Sequence, residues 1–271
     1  MNNVFDIKRF GKYFLYDLNN ARGSFAVSAL TIGLLPLILL VFNVIFGLVF
    51  AGEVPELQMP MKVTLLAIVF ILAILSAPVK LYGSLTERRA GSDWLMLPAS
   101  SFEKFLSMAI MLCIVLPVVL FGLFAVCDLL LSWIVPVYGE STVRTIFGGA
   151  ASVLASMEAD SISLLTPSGS VASIFMGWCA SVLPFGLGAI CFKKGKAART
   201  ILCILGVQIL FTLLMVPLVK NGNWQNLDSF FENLTAGKAE FWVNFFLNAF
   251  YLVVVGGLLA GLFFRIKTLK H

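Results

Sequence analysis

The chain has 271 residues, of which 60 % are hydrophobic and only 12 % charged, with nineteen Lys and Arg against fourteen Asp and Glu. A soluble domain is about 45–50 % apolar and about 25 % charged, so this excess has no place in a globular core and excludes a soluble enzyme. Lipid is the solvent for most of such a chain. The fold class expected is all-α, a polytopic membrane protein with six transmembrane helices and an N-terminal amphipathic interfacial helix.

In chain order, residues 1–23 come first as a cytoplasmic interfacial helix. Ile7, Phe10, Phe14 and Leu18 fall on one face, and Lys8, Arg9, Lys12 and Asp17 mostly on the other. Spacings of three and four suit a helix lying in the membrane interface. Asn19 to Gly23 is expected to break it before the first span. Residues 24–271 form the membrane domain. Its apolar runs are 25–50, 62–83, 105–135, 171–192, 199–219 and 241–264; about 20 apolar residues cross a bilayer. The third run is long for one crossing, so it should tilt or extend beyond the lipid.

With the N-terminus inside, the inner segments hold fifteen of the nineteen Lys and Arg, leaving Lys62, Arg144, Lys220 and Lys238 outside. The positive-inside bias therefore puts both termini in the cytoplasm. The basic balance follows from topology. It is no nucleic-acid footprint, because it is spread over separate inner segments.

Outer residues at about 143–157 repeat Val143, Ile146, Phe147, Ala150, Val153, Leu154 and Met157 at helical spacing, and about 224–234 does so with Trp224, Leu227, Phe230, Phe231 and Leu234. Both predict amphipathic helices resting on the outer surface or on the bundle, or else packed loops.

The inner loop 84–104 carries the sharpest local signals. Trp94, Leu95, Met96 and Leu97 are consecutive, and Pro98 stops a preceding helix. Ser100 followed by Glu103 is a capping box, so a new helix should begin at Ser101 and run into span three.

Catalytic chemistry is thin. The only His is His271, which removes His-based triads and most metal sites. No phosphate-cradling GxxxxGK[ST] loop is present, so no ATP hydrolysis is expected of this chain and no metal or cofactor is implied. The five Cys (113, 127, 179, 191 and 203) lie in apolar runs, and no disulfide framework follows. Asp128 is read as the one ionisable residue deep in a span. It is either a contact for a cation or polar substrate, or a residue near the outer end that reaches water or a helix partner. Pro36, Pro78, Pro117, Pro184 and Pro217 interrupt five spans, and Gly257 and Gly261 form a GxxxG suited to close helix packing.

Leu97-Pro98-Ala99-Ser100 followed by Glu103-Lys104-Phe105 resembles the "LPAS…EKF" stretch after the second span of ABC-2-type ABC transporter permeases, especially short bacterial versions such as those of the Bacteroidetes. The layout of an inner amphipathic helix, six spans and inner termini resembles theirs over nearly the whole chain. The resemblance implies a bacterial inner-membrane permease subunit, paired with a second permease subunit and driven by a separate ABC ATPase, more often an exporter. It implies no catalysis by this chain and no nucleic-acid partner. The loop would be the coupling helix, with Leu85, Glu87, Arg88, Arg89, Trp94, Leu95, Leu97, Pro98, Ser100 and Glu103 as its ATPase-coupling residues. Arg88 and Arg89 serve equally as topological anchors. Two other readings stand beside it: a membrane scaffold or regulator without transport, and an ion-coupled carrier, which would be expected to place several charges at mid-membrane.

Overall fold

The computed structural model describes residues 5–52, 56–86, 91, 94, 96–148, 171–221 and 236–268. It is about 90 % helical, without strands among the described residues. Helix α1 (Ile7–Gly33) is followed by α2 (Leu35–Phe46) and a π-helical turn, Gly47–Ala51. Helix α3 (Met59–Tyr82) ends in a 3-10 turn, Gly83–Thr86. Helix α4 (Ser101–Ile110) passes through a second π turn, Met111–Val115, into α5 (Leu116–Ile134). A 3-10 turn at Pro136–Tyr138 precedes α6 (Thr142–Gly148). Helices α7 (Val171–Cys191), α8 (Lys196–Asn221) and α9 (Ala236–Thr268) complete the bundle.

Four helical runs are long and apolar enough to cross a membrane: Met59–Thr86, Ser101–Ile134, Lys196–Leu214 and Phe245–Thr268. The bent pair Ile7–Gly33 and Leu35–Phe50 makes five if it counts as one span, and Phe175–Cys191 is a shorter apolar helix. The run Ser101–Ile134 has 34 residues, or about 51 Å at 1.5 Å per residue. That exceeds a hydrocarbon core of about 30 Å.

The break expected between Asn19 and Gly23 does not occur. One helix runs from Ile7 to Gly33, and the chain bends by 40° at Leu34 instead. The cause is Pro36 in the first turn of α2: it has no N–H to return to Ile32, and its ring disfavours helical geometry in the residue before it. Gly33 then allows a close crossing, since a Cβ there would come within 2.6 Å of the Leu123 side chain. The polar face expected of residues 1–23 also differs. Tyr13 and Asp17 are buried, while Ile7, Leu15, Tyr16 and Leu18 are exposed.

Helix α7 lies at the centre and touches α3, α8, α9 and the π turn of the third span. Its Val182, Leu183, Ala189 and Ile190 have no exposed surface, and Val182, Leu183 and Ile190 share one core with Ala73, Ala77, Leu112 and Leu262. Small residues let the helices approach: a Cβ at Gly186 would lie 2.6 Å from Leu112, and one at Gly188 would overlap the Thr200 hydroxyl. By contrast, Gly257 has nothing within 4 Å of such a Cβ, and Gly261 meets only Leu187 at 3.9 Å. The GxxxG therefore forms no tight crossing within the chain. Helix α8 exposes every described side chain from Ile201 to Leu214, as an apolar helix facing lipid does.

The π turn of the third span has a local cause and a distant partner. Pro117 offers no N–H, and the Leu116 N–H bonds back to the Met111 carbonyl, one residue further than in an α-helix. That shift frees the Leu112 carbonyl, and the indole N–H of Trp178 on α7 donates to it at 3.1 Å. A buried carbonyl in lipid needs such a partner.

Candidate functional site

The sharpest cluster of polar groups surrounds the start of α4. Ser100 has extended backbone, and its Oγ accepts the Glu103 N–H at 3.2 Å, while the Glu103 carboxylate accepts the Ser100 N–H at 2.8 Å. The capping box and the helix start at Ser101 are thus as the sequence predicts. Free N–H groups at a helix start favour a carboxylate there.

Glu103 does more than cap. Its side chain has no exposed surface and grips α1 at two further points. The Asp6 N–H donates to Oε1 at 3.0 Å, and the Arg9 guanidinium donates through Nε to Oε2 at 2.8 Å and through Nη2 to Oε1 at 2.6 Å. Asp6 is itself the N-cap of α1, accepting the Lys8 N–H at 2.9 Å. Two helix N-termini therefore converge on one carboxylate, and both of their fields favour its charge.

A second set of bonds lies one to three turns further along α1. The Trp94 indole N–H donates to the Tyr13 hydroxyl at 2.8 Å. Lys104 donates to the Trp94 carbonyl at 2.9 Å, with its ammonium 4.6 Å from the Trp94 ring centroid. Asp17, one turn beyond Tyr13, accepts the Tyr82 hydroxyl at 2.9 Å and the Ser107 hydroxyl at 2.7 Å. All three of these groups are buried. The cluster thus joins α1, the end of α3, the inner loop and the start of the third span. Phe102 and Phe105 extend it to α9 through edge contacts with Phe263.

Basic side chains also bridge helix ends on this side. Lys196, in the first turn of α8, donates to the Gly83 carbonyl at the end of α3. Arg265 donates to the Ile190 carbonyl near the end of α7 at 3.3 Å. Cations suit these free carbonyls.

The coupling residues read from the sequence fall into three groups. Leu85 is buried in the core, and Trp94 packs against it from the side. Leu85 thus packs inside the chain, and Trp94 is half-buried beside it. Leu97 is half-buried and Pro98 exposed, and Ser100 and Glu103 form the cap. Glu87, Arg88, Arg89 and Leu95 lie outside the described residues. Met96 is 80 % exposed, a projecting apolar side chain among the described residues of the loop.

At the other end of the third span, Asp128 is completely buried. It accepts the Tyr138 hydroxyl at 2.5 Å and the Val143 N–H at 3.0 Å, so it meets helix and turn partners there. Burial, and then the bond to Asp128, pushes the Tyr138 phenol well above its usual range. Lys62 donates to the Tyr138 and Glu140 carbonyls, and its ammonium stands 4.0 Å from the Tyr138 ring. Asp128 is thus not alone: Lys62 and Asp17 are also buried ionisable groups in these helices. Of the two expected outer helices, 143–157 is described only through α6, and 224–234 lies outside the described residues.

Arg9, Tyr13, Asp17, Tyr82, Lys104 and Ser107 were absent from the sequence-based site. The one local signal was the spacing of Tyr13 and Asp17, four residues apart and so on one helix face. Among the described residues no group of three or more His, Cys, Asp or Glu is placed to hold a metal ion. The hydrogen bonds tie the loop, α1, the end of α3 and the start of the third span into one connected cluster. No family model, no curated protein and no solved structure matches the chain.

Proposed function

We propose that the chain is the membrane-spanning permease subunit of an ATP-binding-cassette transporter, with six spans and both termini in the cytoplasm. A separate ATPase subunit drives it, a second permease subunit completes the pathway, and export is the favoured direction. The observation that carries this reading is Glu103. One buried carboxylate caps the third span and holds the N-terminal helix through Asp6 and Arg9. An inner loop used only as a connector has no need of such an anchor. A loop that receives the closing motion of a soluble ATPase needs a stiff path into the bundle, and this one has it.

The partner contact belongs to the outward side of the loop. Met96 is an exposed apolar side chain among its described residues, and flexible Met side chains adapt to partner grooves. The test is co-purification of the ATPase subunit with full-length chain from native membranes, in wild type and in Met96→Asp. A carboxylate forced into an apolar contact is strongly unfavourable. The ATPase should accompany the wild type and be lost from Met96→Asp at equal membrane yield. A wild-type chain that purifies without any ATPase, and whose membranes show no ATP-dependent transport, would defeat the reading.

A further inference from the structure

A groove of about 370 Å³ lies between α1 and the π turn and α5 of the third span. Its walls are apolar, from Phe25, Ala26 and Ala29 on one side to Met111 and Val119 on the other. Three properties of the groove point to one occupant. The first is length. From Arg22 to Ala29 the lining of α1 runs about 10 Å at 1.5 Å per residue, enough to seat about two thirds of the ~15 Å of one leaflet's hydrocarbon. The second is depth: Val119 stands near the middle of the apolar run 105–134, so the groove ends near the bilayer centre.

The third is charge. Arg22 and Asn19 line the end nearest the polar cluster, and they are the polar side chains in an otherwise apolar lining. Arg22 is exposed, and the ion pair found among the described residues is Arg9 with Glu103. Asp17, the acidic residue nearest Arg22 in sequence, is turned to Tyr82 and Ser107. A guanidinium at the mouth of an apolar groove matches a phosphate on a lipid chain.

We propose that this groove is a binding site for one anionic glycerophospholipid, its acyl chain along Ala26, Ala29 and Val119 and its phosphate on Arg22. The site would wedge a lipid against the π turn, the least regular point of the third span. The inference stands apart from the transporter reading and needs no ATPase.

The test is native mass spectrometry of the detergent-solubilised full chain titrated with dioleoyl phosphatidylglycerol, dioleoyl phosphatidylcholine or glycerol phosphate. Both lipids carry a phosphate, but the choline cation of phosphatidylcholine offsets its charge, so wild type should retain one phosphatidylglycerol in preference to phosphatidylcholine by up to about tenfold. Arg22→Gln, a change at an exposed position, should bring the two lipids to near parity. Ala29→Phe and Val119→Phe fill the groove from opposite walls and should each reduce retention of both lipids. If one of them fails to elute as a single folded species, the other carries this arm. Glycerol phosphate, with the headgroup but no chain, should not be retained. Equal retention of both lipids by wild type would overturn the proposal, as would an undiminished preference in Arg22→Gln. Lipid retention unchanged in the folded groove-filling variants would also overturn it, and so would glycerol phosphate binding as well as the lipid, which would make the ligand a soluble anion.

Discussion

Removing the Glu103 carboxylate should loosen the N-terminal helix and the third span in one step. Glu103→Ala removes the carboxylate that accepts from the Ser100 N–H, the Asp6 N–H and the Arg9 guanidinium, while the Ser100 hydroxyl still accepts the backbone N–H of residue 103. A fully buried donor left unsatisfied costs about 1–3 kcal/mol, and the two backbone donors here, on exposed Asp6 and half-buried Ser100, lie toward the lower part of that range. Arg9 is about a third exposed, with 32 % of its side-chain surface in contact with solvent, so water takes up part of its loss. The sum expected for Glu103→Ala is about 2–4 kcal/mol, against about 1 kcal/mol for Ser100→Ala, which removes the hydroxyl alone. SDS-induced unfolding in mixed micelles, followed by tryptophan fluorescence, measures both. The Arg9→Ala change should cost less in the Glu103→Ala background than in wild type, because its partner is already gone. If Glu103→Ala costs no more than Ser100→Ala, and the Arg9 and Glu103 changes simply add, the carboxylate is only a cap and the link to α1 is energetically idle.

Other consequences follow from single contacts. Trp178→Phe removes the donor to the carbonyl freed at Leu112 and should lower stability by about 1 kcal/mol in the same unfolding assay; no change would mean that the π turn satisfies itself. Gly188→Ala sets a methyl against the Thr200 side chain and should cost about 1–3 kcal/mol, as overpacking does. Gly257→Ala meets open space and should leave the unfolding curve of the chain where it was. Reporter fusions test the arrangement across the membrane: Gly23, Ala90, Gly195 and His271 should report the cytoplasmic side, and Gly52, Ser152 and Gly237 the outer side. An outer signal at Ala90 would remove the inner loop from reach of any ATPase.

What was legible in the sequence was local. The capping box needs only Ser100 and Glu103 three positions apart, and the structure places both bonds as expected. The apolar runs likewise announce helices, because burying an unpaired backbone in lipid is too costly for any other form. The rest depends on residues far apart in sequence. Glu103 meets Arg9 across 94 positions, and Asp17 meets Ser107 across 90, so neither bond leaves a periodic trace. Asp17 reads as a solvated residue on a polar face, and only the approach of α3 and α4 turns it into a buried acceptor. The bend was misplaced for a similar reason. Asn19, Asn20 and Gly23 have low helix propensity, yet packing of the helix on both sides of them carries it through to the proline at 36. Trp94, Met96 and Leu97 lie close together in sequence, yet Trp94 and Leu97 are half-buried and Met96 is exposed, a difference that no local pattern predicts.

If this loop hands an ATPase's motion to the bundle, as proposed, a photo-crosslinker at position 96 reads the contact itself. In membranes carrying the whole system, irradiation should join position 96 to a subunit that hydrolyses ATP. A crosslinker at Leu85, which is buried in the core, should stay within the chain. Crosslinks from position 96 to lipid or to no protein at all, in membranes that carry out ATP-dependent transport, would contradict the account.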